Sequence, residues 1–232
     1  MTKLKAKNDI KEEYIIKIIH DFKTPINAQI KALELFLSTT KSKILQEEKD
    51  LIELTLNSCN YMQKLIETFT CVHQLKSTNL ILNYEKFDMV ELIKSSIKEL
   101  EILLKFYELD VVFDNKKEII INADKIQIKR VVENLLSNSI NYAYKNTEIK
   151  INVDLKNENL IFTIKNKSPY IEPIALKEIF KKYKTQASRF NKHGVGLGLY
   201  LSQEIINAHW GEMIAKSNVD ETNIFGFAIP IS

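Results

Sequence analysis

The chain has 232 residues, of which 45% are hydrophobic and 27% charged, so it can bury a core for one large domain or two modest ones. Its formal net charge of +3 is too small to indicate nucleic-acid binding by itself. The sequence contains no secretory signal and no apolar run approaching the roughly 18 residues of a membrane span. We therefore expect a soluble, cytoplasmic chain, with Cys59 and Cys71 reduced.

The first third of the sequence is predicted to form two long amphipathic helices. Apolar residues recur every three or four positions from about Ile10 to Leu37, which is typical of one helical stripe. A polar stretch at 38–43 interrupts the pattern, and a second helix is predicted from about Leu45 to Leu75. A hairpin of two such helices cannot cover its own apolar faces, so we expect it to dimerise into a four-helix bundle.

The sequence pattern changes near residue 79. Helical segments are then predicted at 88–104 and 124–144, alternating with short β-branched runs at 109–113, 118–122, 148–155 and 159–166. Strands mixed with helices predict an α/β sandwich that is separate from the hairpin. The expected domains are therefore residues 1–79 and residues 80–232.

The first predicted helix contains the sequence HDFKTP at 20–25. Proline inside a helix removes a hydrogen bond, at a cost of about 3 kcal/mol or more, so Pro25 needs a reason to be there. Thr24 lies four residues after His20, on the same helical face. A histidine can accept a phosphoryl group if a base takes its proton, and Asp21 is placed to do this or to orient the ring. Taken alone, the segment fits an exposed histidine with an accidental acidic neighbour equally well.

The segment ENLLSNSINYA at 133–143 is a second candidate site. Asn134 and Asn138 are four residues apart and lie on one helical face. Amide oxygens are hard ligands that suit Mg²⁺ and leave room for phosphate oxygens. Both asparagines are embedded in an apolar run, where polar side chains that face a cavity are easier to justify than ones that face a core. Two exposed asparagines on one helix can also arise by chance.

Three of the five glycines occur within one short stretch, at Gly194, Gly196 and Gly198. Glycine allows positive φ or close approach to a ligand, and the apolar spacing from Leu197 onward predicts that a helix begins here. A glycine-rich turn that enters a helix offers unpaired N–H groups and the positive end of the helix dipole to a phosphate. A tight turn before a packed helix is the alternative explanation.

Four segments in order, HDFKTP, ENLLSNSINYA, IFKKY and HGVGLGLYLSQEIINAHWGEM, resemble the transmitter region of the sensor histidine kinases of two-component signalling. The resemblance covers nearly the whole chain. It implies that residues 1–79 are a dimerisation and histidine-phosphotransfer domain, and that residues 80–232 are a catalytic ATP-binding domain of the type shared with DNA gyrase. It also implies ATP and Mg²⁺ as cofactors, a homodimer, and a response-regulator receiver domain as partner, with no nucleic acid.

The resemblance further implies roles for individual residues. His20 matches the phosphorylated residue and Asp21 its acid–base partner. Thr24 matches the position that helps to position water when the response regulator is dephosphorylated. Asn138 matches the Mg²⁺ ligand, with Asn134 beside it. The implied nucleotide-binding residues are Asn134, Asn138, Asn141, Tyr142, Asn166, Ile171, Phe180, Tyr183, Arg189, Gly194, Val195, Gly196, Leu197 and Gly198.

Two of these residues, Phe180 and Tyr183, match the aromatic box that anchors a lid over the nucleotide. The lid is expected at 184–192, where the candidate phosphate contacts are Lys184, Arg189 and Lys192. Solvated loop charges explain any one of these three residues equally well.

The sequence departs from the family's pattern in two places, the box at 166–170 and position 141. The family has Asp-x-Gly-x-Gly where this chain has NKSPY at 166–170, so Asn166 replaces the aspartate that reads adenine. The position three after Asn138 is often basic in the family and is Asn141 here. Without the charge of an aspartate, we expect weaker ATP binding and poorer discrimination against GTP, unless neighbouring groups hold the Asn166 amide in one orientation.

Two other functions are compatible with parts of the sequence. One is a non-catalytic phosphotransfer or scaffold protein with a decayed nucleotide site, which the altered box at 166–170 favours and the intact asparagines and glycines oppose. The other is an ATP-hydrolysing clamp of the gyrase type. The clamp is disfavoured because Asn134 stands where such hydrolases need a carboxylate base.

Overall fold

The computed structural model describes residues 22–23, 26–36, separate positions between 48 and 70, and then 82–115, 117–181 and 196–231. The chain divides into two compact units, Met1–Asn79 and Leu80–Ser232. Within these described ranges, no helix combines the length and the apolar character needed to cross a membrane.

The first unit is helical wherever it is described. Residues 26–36 form a continuous helical stretch, and the described positions between 48 and 70 are helical as well. Ile26 and Ile30 are buried together with Cys59, so the two helical stretches contact each other through apolar side chains. The Cys59 thiol lies 3.8 Å from Oε1 of Gln29, at the limit of a weak hydrogen bond. The segment between the two stretches lies outside the described residues, so the hairpin stays a prediction.

The second unit contains seven strands and five helices in its described part. The strands are β1 (Glu85–Asp88), β2 (Asp110–Val112), β3 (Ile120–Ala123), β4 (Glu148–Lys156), β5 (Asn159–Lys167), β6 (Glu212–Ser217) and β7 (Thr222–Pro230). The helices are α1 (Met89–Glu99), α2 (Glu101–Phe106), α3 (Lys125–Tyr142), α4 (Pro173–Glu178) and α5 (Gly198–Ala208).

Five of the strands form one sheet with the order β2-β4-β5-β7-β6. β2 pairs with β4 in parallel, and the remaining pairs in this sheet are antiparallel. β1 and β3 form a separate antiparallel pair. Short polar side chains start two of the helices, because the Asp88 carboxylate accepts a hydrogen bond from the Val90 amide and the Asp124 carboxylate accepts one from the Gln127 amide.

The core lies between the inner face of this sheet and the helices. Alternate residues of β5 are fully buried, among them Phe162 and Ile164, as expected for a strand with one face on the core. The rings of Phe162 and Phe227 face each other across β5 and β7 with their centroids 5.2 Å apart. Val131 and Leu135 of α3 are buried in the same cluster. The prediction of an α/β sandwich for the second unit is therefore confirmed.

The predicted elements differ from the observed ones in two respects. The predicted helix at 88–104 is two helices, α1 and α2, separated at Leu100. β1, α4, β6 and β7 were not predicted from the sequence pattern. β7 lies between β5 and β6 in the sheet. Its residues are buried or half-buried along its whole length, so it lacks the alternation of buried and exposed residues by which a strand is recognised.

His209, which directly follows α5, joins that helix to the beginning of α3. Its Nε2 accepts a hydrogen bond from the Asp124 amide at 3.1 Å, and its Nδ1 donates to the Ile205 carbonyl at 2.8 Å. These two contacts require a neutral ring with its proton on Nδ1. Burial lowers the pKa of His209, although the Ile205 carbonyl and the Asp124 carboxylate oppose that shift.

We expect the second unit to lose stability as the pH falls below about 6.5, the usual pKa of an unfolded histidine. Because the folded-state pKa of His209 is lowered, the unfolded chain takes up this proton first, which favours unfolding. Thermal unfolding followed by near-UV circular dichroism between about pH 7.5 and 5.5 measures the effect. In His209→Gln the loss of stability over this range should be smaller, and equal slopes in the two proteins would contradict the role given to His209.

Candidate active site

The predicted asparagines lie along one side of α3. Asn134, Asn138 and Asn141 are half-buried, whereas their neighbours Leu135 and Leu136 are fully buried in the core. A spacing of three or four residues keeps the three amides on adjoining positions of the helix surface. The helix therefore presents a row of amides at the border of its apolar stripe.

Asn134 connects α3 with the helix that follows the glycines. Its Nδ2 donates a hydrogen bond to Oγ of Ser202 at 2.8 Å. A Cβ atom added to Gly198 would lie 2.3 Å from Oδ1 of Asn134, which is far inside van der Waals contact. Gly198 is therefore glycine so that the amide of Asn134 can approach the α5 backbone, whereas Gly196 has a φ of 70°, which favours glycine for a conformational reason.

The N-terminus of α5 has no side-chain cap. Leu197 occupies the cap position and offers no hydrogen-bonding group to the first turn. The amides of that turn and the positive end of the helix dipole are therefore available to an anion. Gly198, the first residue of the helix, adds no side chain to this turn, and the Asn134 amide lies against its backbone.

Asn138 and Asn141 are held less firmly than Asn134. Nδ2 of Asn141 lies 3.5 Å from Oγ of Ser137, a long and weak hydrogen bond. No hydrogen bond to another described residue holds Asn138, so its amide oxygen remains available to a ligand. Across the described ranges, no group of three His, Cys, Asp or Glu side chains could hold a metal ion. A divalent ion at this site would therefore depend on amide and phosphate oxygens, which suit Mg²⁺.

Asn166 lies near the end of β5 and is 3% exposed. Its partner in the antiparallel register is Asn223 of β7, which is fully buried. Nδ2 of Asn223 donates to the carbonyl oxygens of Ser168 and Pro169 at 3.1 and 3.0 Å, and also to the Ser168 hydroxyl. The segment that has serine and tyrosine where the family has glycines is thus fixed by hydrogen bonds to β7.

Sequence reasoning missed Asn223 and Ser202. Asn223 lies on β7, whose strand pattern is obscured by burial on both faces, so nothing in the sequence indicated that it opposes Asn166. Ser202 was assigned to a predicted helix, but its contact with Asn134 joins residues 68 positions apart. Only tertiary structure brings either pair together.

Glu133, the charged residue beside Asn134, belongs to a group of ion pairs that joins two helices. Glu133 pairs with Lys129 at 3.3 Å, and the same ammonium group lies 2.7 Å from Glu99 of α1. Burial raises the pKa of the Glu133 carboxyl, and the Lys129 ammonium opposes that shift. The Lys129 hydrogen bond in turn lowers the pKa of Glu99. These ion pairs connect α3 with α1.

The remaining predicted site residues divide into two groups. Phe180 follows α4 in a turn and is half-buried, and the Ile171 amide donates to Oγ of Ser217 at 2.9 Å. Tyr142 is the last residue of α3. The predicted residues outside the described ranges, whose roles stay predictions, are His20, Asp21, Thr24, Tyr183, Lys184, Arg189, Lys192, Gly194 and Val195.

We expect Gly198→Ala to destabilise the second unit by about 1–2 kcal/mol, because the new methyl group displaces Asn134 and breaks its bond to Ser202. In an Asn134→Ala background the same change should be neutral or stabilising, since alanine favours a helix by up to about 1 kcal/mol over glycine. Urea unfolding of both single variants and the double variant gives the coupling. Additive effects would show that Asn134 and Gly198 do not constrain each other.

Comparison with known proteins gives one family match, to the histidine kinase-, DNA gyrase B-, and HSP90-like ATPases, over residues 123–232. Similar relatives include the sensor protein VanSC of Enterococcus gallinarum, 26% identical over 95% of this chain and 61% of its own length. Another is the sensor histidine kinase YvrG of Bacillus subtilis (strain 168), 25% identical over 90% of this chain and 37% of its own length. The chain therefore spans less than two thirds of each of these relatives.

Two solved structures support the fold. Full-length ShkA in complex with AMPPNP covers 95% of this chain and 46% of its own, with a TM-score of 0.78 and 16% identity. The catalytic domain of histidine kinase ThkA in a nucleotide-free form covers 64% of this chain and 96% of its own, with a TM-score of 0.58 and 28% identity.

Proposed function

The chain belongs to the sensor histidine kinases through its transmitter region, and we propose that it is an ATP-dependent protein-histidine kinase core. One observation carries the proposal. The uncapped N-terminus of α5 is packed directly against the row of amides on α3, through Gly198 and the Asn134–Ser202 hydrogen bond. This arrangement brings anion-binding amides and hard oxygen ligands into one site, as a magnesium–nucleotide complex requires.

The described residues suit ATP with Mg²⁺. The first-turn amides of α5 would hold the triphosphate, because no side chain caps them. Asn138 would hold Mg²⁺ through its amide oxygen, while Asn134 connects α3 to α5 by its hydrogen bond to Ser202. The metal–nucleotide complex supplies the phosphoryl group and neutralises part of its charge, so the protein's contribution is mainly positioning. Phe180 and Tyr183 anchor the lid at 184–192.

In this proposal His20 accepts the phosphoryl group from ATP. A ring nitrogen bonds to the γ-phosphorus as the bond to the ADP oxygen breaks, and Asp21 takes the proton from the imidazole or orients the ring. The phosphoryl group then passes to an aspartate of a response-regulator receiver domain. Thr24 lies one turn along the same helical face. It positions the water that later dephosphorylates the regulator.

We propose that residues 1–79 form the dimerisation and phosphotransfer domain and residues 80–232 the catalytic domain. In the single chain, large apolar side chains of the first unit remain exposed to water, among them Phe22, Leu35 and Leu51. Exposure of this kind supports a homodimeric four-helix bundle in which a second copy covers these side chains.

A non-catalytic scaffold with a decayed nucleotide site is the alternative, and Asn166 is the residue that favours it. Decay would relax the constraint on Gly198, because nothing would then require the α5 backbone to approach Asn134 so closely. The tight contact between these two residues therefore supports an active site.

Incubation with radiolabelled ATP and Mg²⁺ should label the chain through an acid-labile, base-stable bond, as expected of a phosphoramidate. The label should disappear in His20→Ala, because the acceptor nitrogen is gone, while ATP binding remains. His73→Ala, which removes another histidine of the first unit, is the matched control and should keep the label. Persistent labelling of His20→Ala would show that the phosphorylated residue lies elsewhere.

Thr24→Ala should separate the two activities. Autophosphorylation should stay largely intact, because Thr24 is not the acceptor, whereas dephosphorylation of the cognate regulator should slow by roughly tenfold to a hundredfold as the water loses its position. Both rates are measured with the same protein preparation. If both activities decline together, Thr24 has a structural role near the Pro25 kink instead.

A further inference from the structure

The orientation of the Asn166 amide decides what this site can recognise. With Oδ1 towards a base, Asn166 offers an acceptor, and with Nδ2 towards it, a donor. The side chain is almost fully buried, and no hydrogen bond to another described residue fixes its orientation. An amide free to turn over would pair with adenine or with guanine, and the site would not discriminate between them.

Asn223 lies directly opposite Asn166 on the same face of the sheet. The two residues are partners in the β5–β7 register, and both face the core. Opposite residues on one face of an antiparallel pair have their Cβ atoms about 4.5–5.5 Å apart. Phe162 and Phe227, four positions away on the same two strands, show that such partners meet, with ring centroids 5.2 Å apart.

The hydrogen bonds of Asn223 determine how its own amide is oriented. Its Nδ2 is used by the carbonyl oxygens of Ser168 and Pro169, which accept only, so the other terminal atom must be Oδ1. This oxygen is buried and has no hydrogen-bond partner in the described part of the chain. A buried acceptor without a donor destabilises the folded protein, which favours any arrangement that brings a donor to it. The amide nitrogen of Asn166 is the donor on the opposing residue.

On the basis of the proposed function, we propose that Asn223 is a positioning residue for nucleobase recognition. Its Oδ1, which has no partner in the described part of the chain, accepts a hydrogen bond from Nδ2 of Asn166 when a nucleotide is bound, and so holds Oδ1 of Asn166 towards the base. Held this way, Asn166 is an acceptor only. It accepts from the 6-amino group of adenine and repels the 6-oxygen of guanine, as an aspartate would, without carrying a charge.

A second buried oxygen also lacks a partner among the described residues, Oγ of Ser139 on α3. Ser139 is not a register partner of Asn166, and its hydroxyl can either donate or accept, so it would not impose one orientation on the amide. Ser139 therefore provides a competing explanation that the experiment can separate from the role of Asn223.

The test is the ratio of ATP to GTP affinities, measured by calorimetry with Mg²⁺ on the full chain. The natural protein should prefer ATP by at least about tenfold, the ratio that one hydrogen bond of about 1.4 kcal/mol produces. Asn223→Ala should bring the ratio close to unity. Asn223→Ser, which keeps one donor for the loop carbonyls and is too short to reach Asn166, should have the same effect and serves if the alanine variant does not fold.

The double variant Asn166→Asp/Asn223→Ala separates orientation from simple damage to the loop. An aspartate presents acceptors whichever way it turns, so the preference for ATP should return in this protein. Ser96→Ala, which alters a fully buried serine of α1, should leave the ratio unchanged.

Three results would overturn the inference. They are an unchanged ratio in both Asn223 variants, failure of the double variant to regain ATP preference, and a loss of preference in Ser139→Ala that the Asn223 variants do not show. A chain that binds neither nucleotide would instead contradict the proposed function. The two failures are therefore distinguishable.

Discussion

The close approach of Asn134 to Gly198 is the contact on which the rest of the site depends. It is possible only because Gly198 has no side chain, and the hydrogen bond from Asn134 to Ser202 fixes the amide in place. The amide row on α3 and the uncapped end of α5 belong to different helices that are far apart in sequence. Their relative position therefore depends on this contact as well as on the apolar side chains that the two helices bury in the same core.

A second junction fixes the opposite ends of the same helices. His209, at the end of α5, accepts a hydrogen bond from the amide of Asp124, the residue that caps the beginning of α3. Because Asn134, in the middle of α3, meets the beginning of α5, the two helices run antiparallel and α5 is held at both ends. The second contact requires a neutral His209, because its Nε2 accepts the hydrogen bond. Protonation of His209 therefore weakens the packing of α5 against α3, and with it the position of the amide row.

The sequence predicts most of the second unit, because β4, β5 and α3 have clear periodicity and strong core residues. The resemblance to the family groups Asn134 and Asn138 with the glycines, and the structure brings Asn134 and Gly198 into contact. It does not predict β7, because burial on both faces removes the alternation that identifies a strand, and with β7 it misses Asn223. The reason for Gly198 is likewise invisible in the sequence, since periodicity places residues on a helical face but does not say which residue of another helix they meet.

The exchange of a charged residue for a neutral one at position 166 changes what the surrounding fold must supply. A buried aspartate needs strong hydrogen bonds to offset the loss of hydration, but its two oxygens are equivalent, so its orientation does not matter. A buried amide loses less on leaving water, yet its two ends are chemically opposite, and recognition then requires a second group to choose between them. Asn223, whose own orientation is fixed by Ser168 and Pro169, satisfies that requirement.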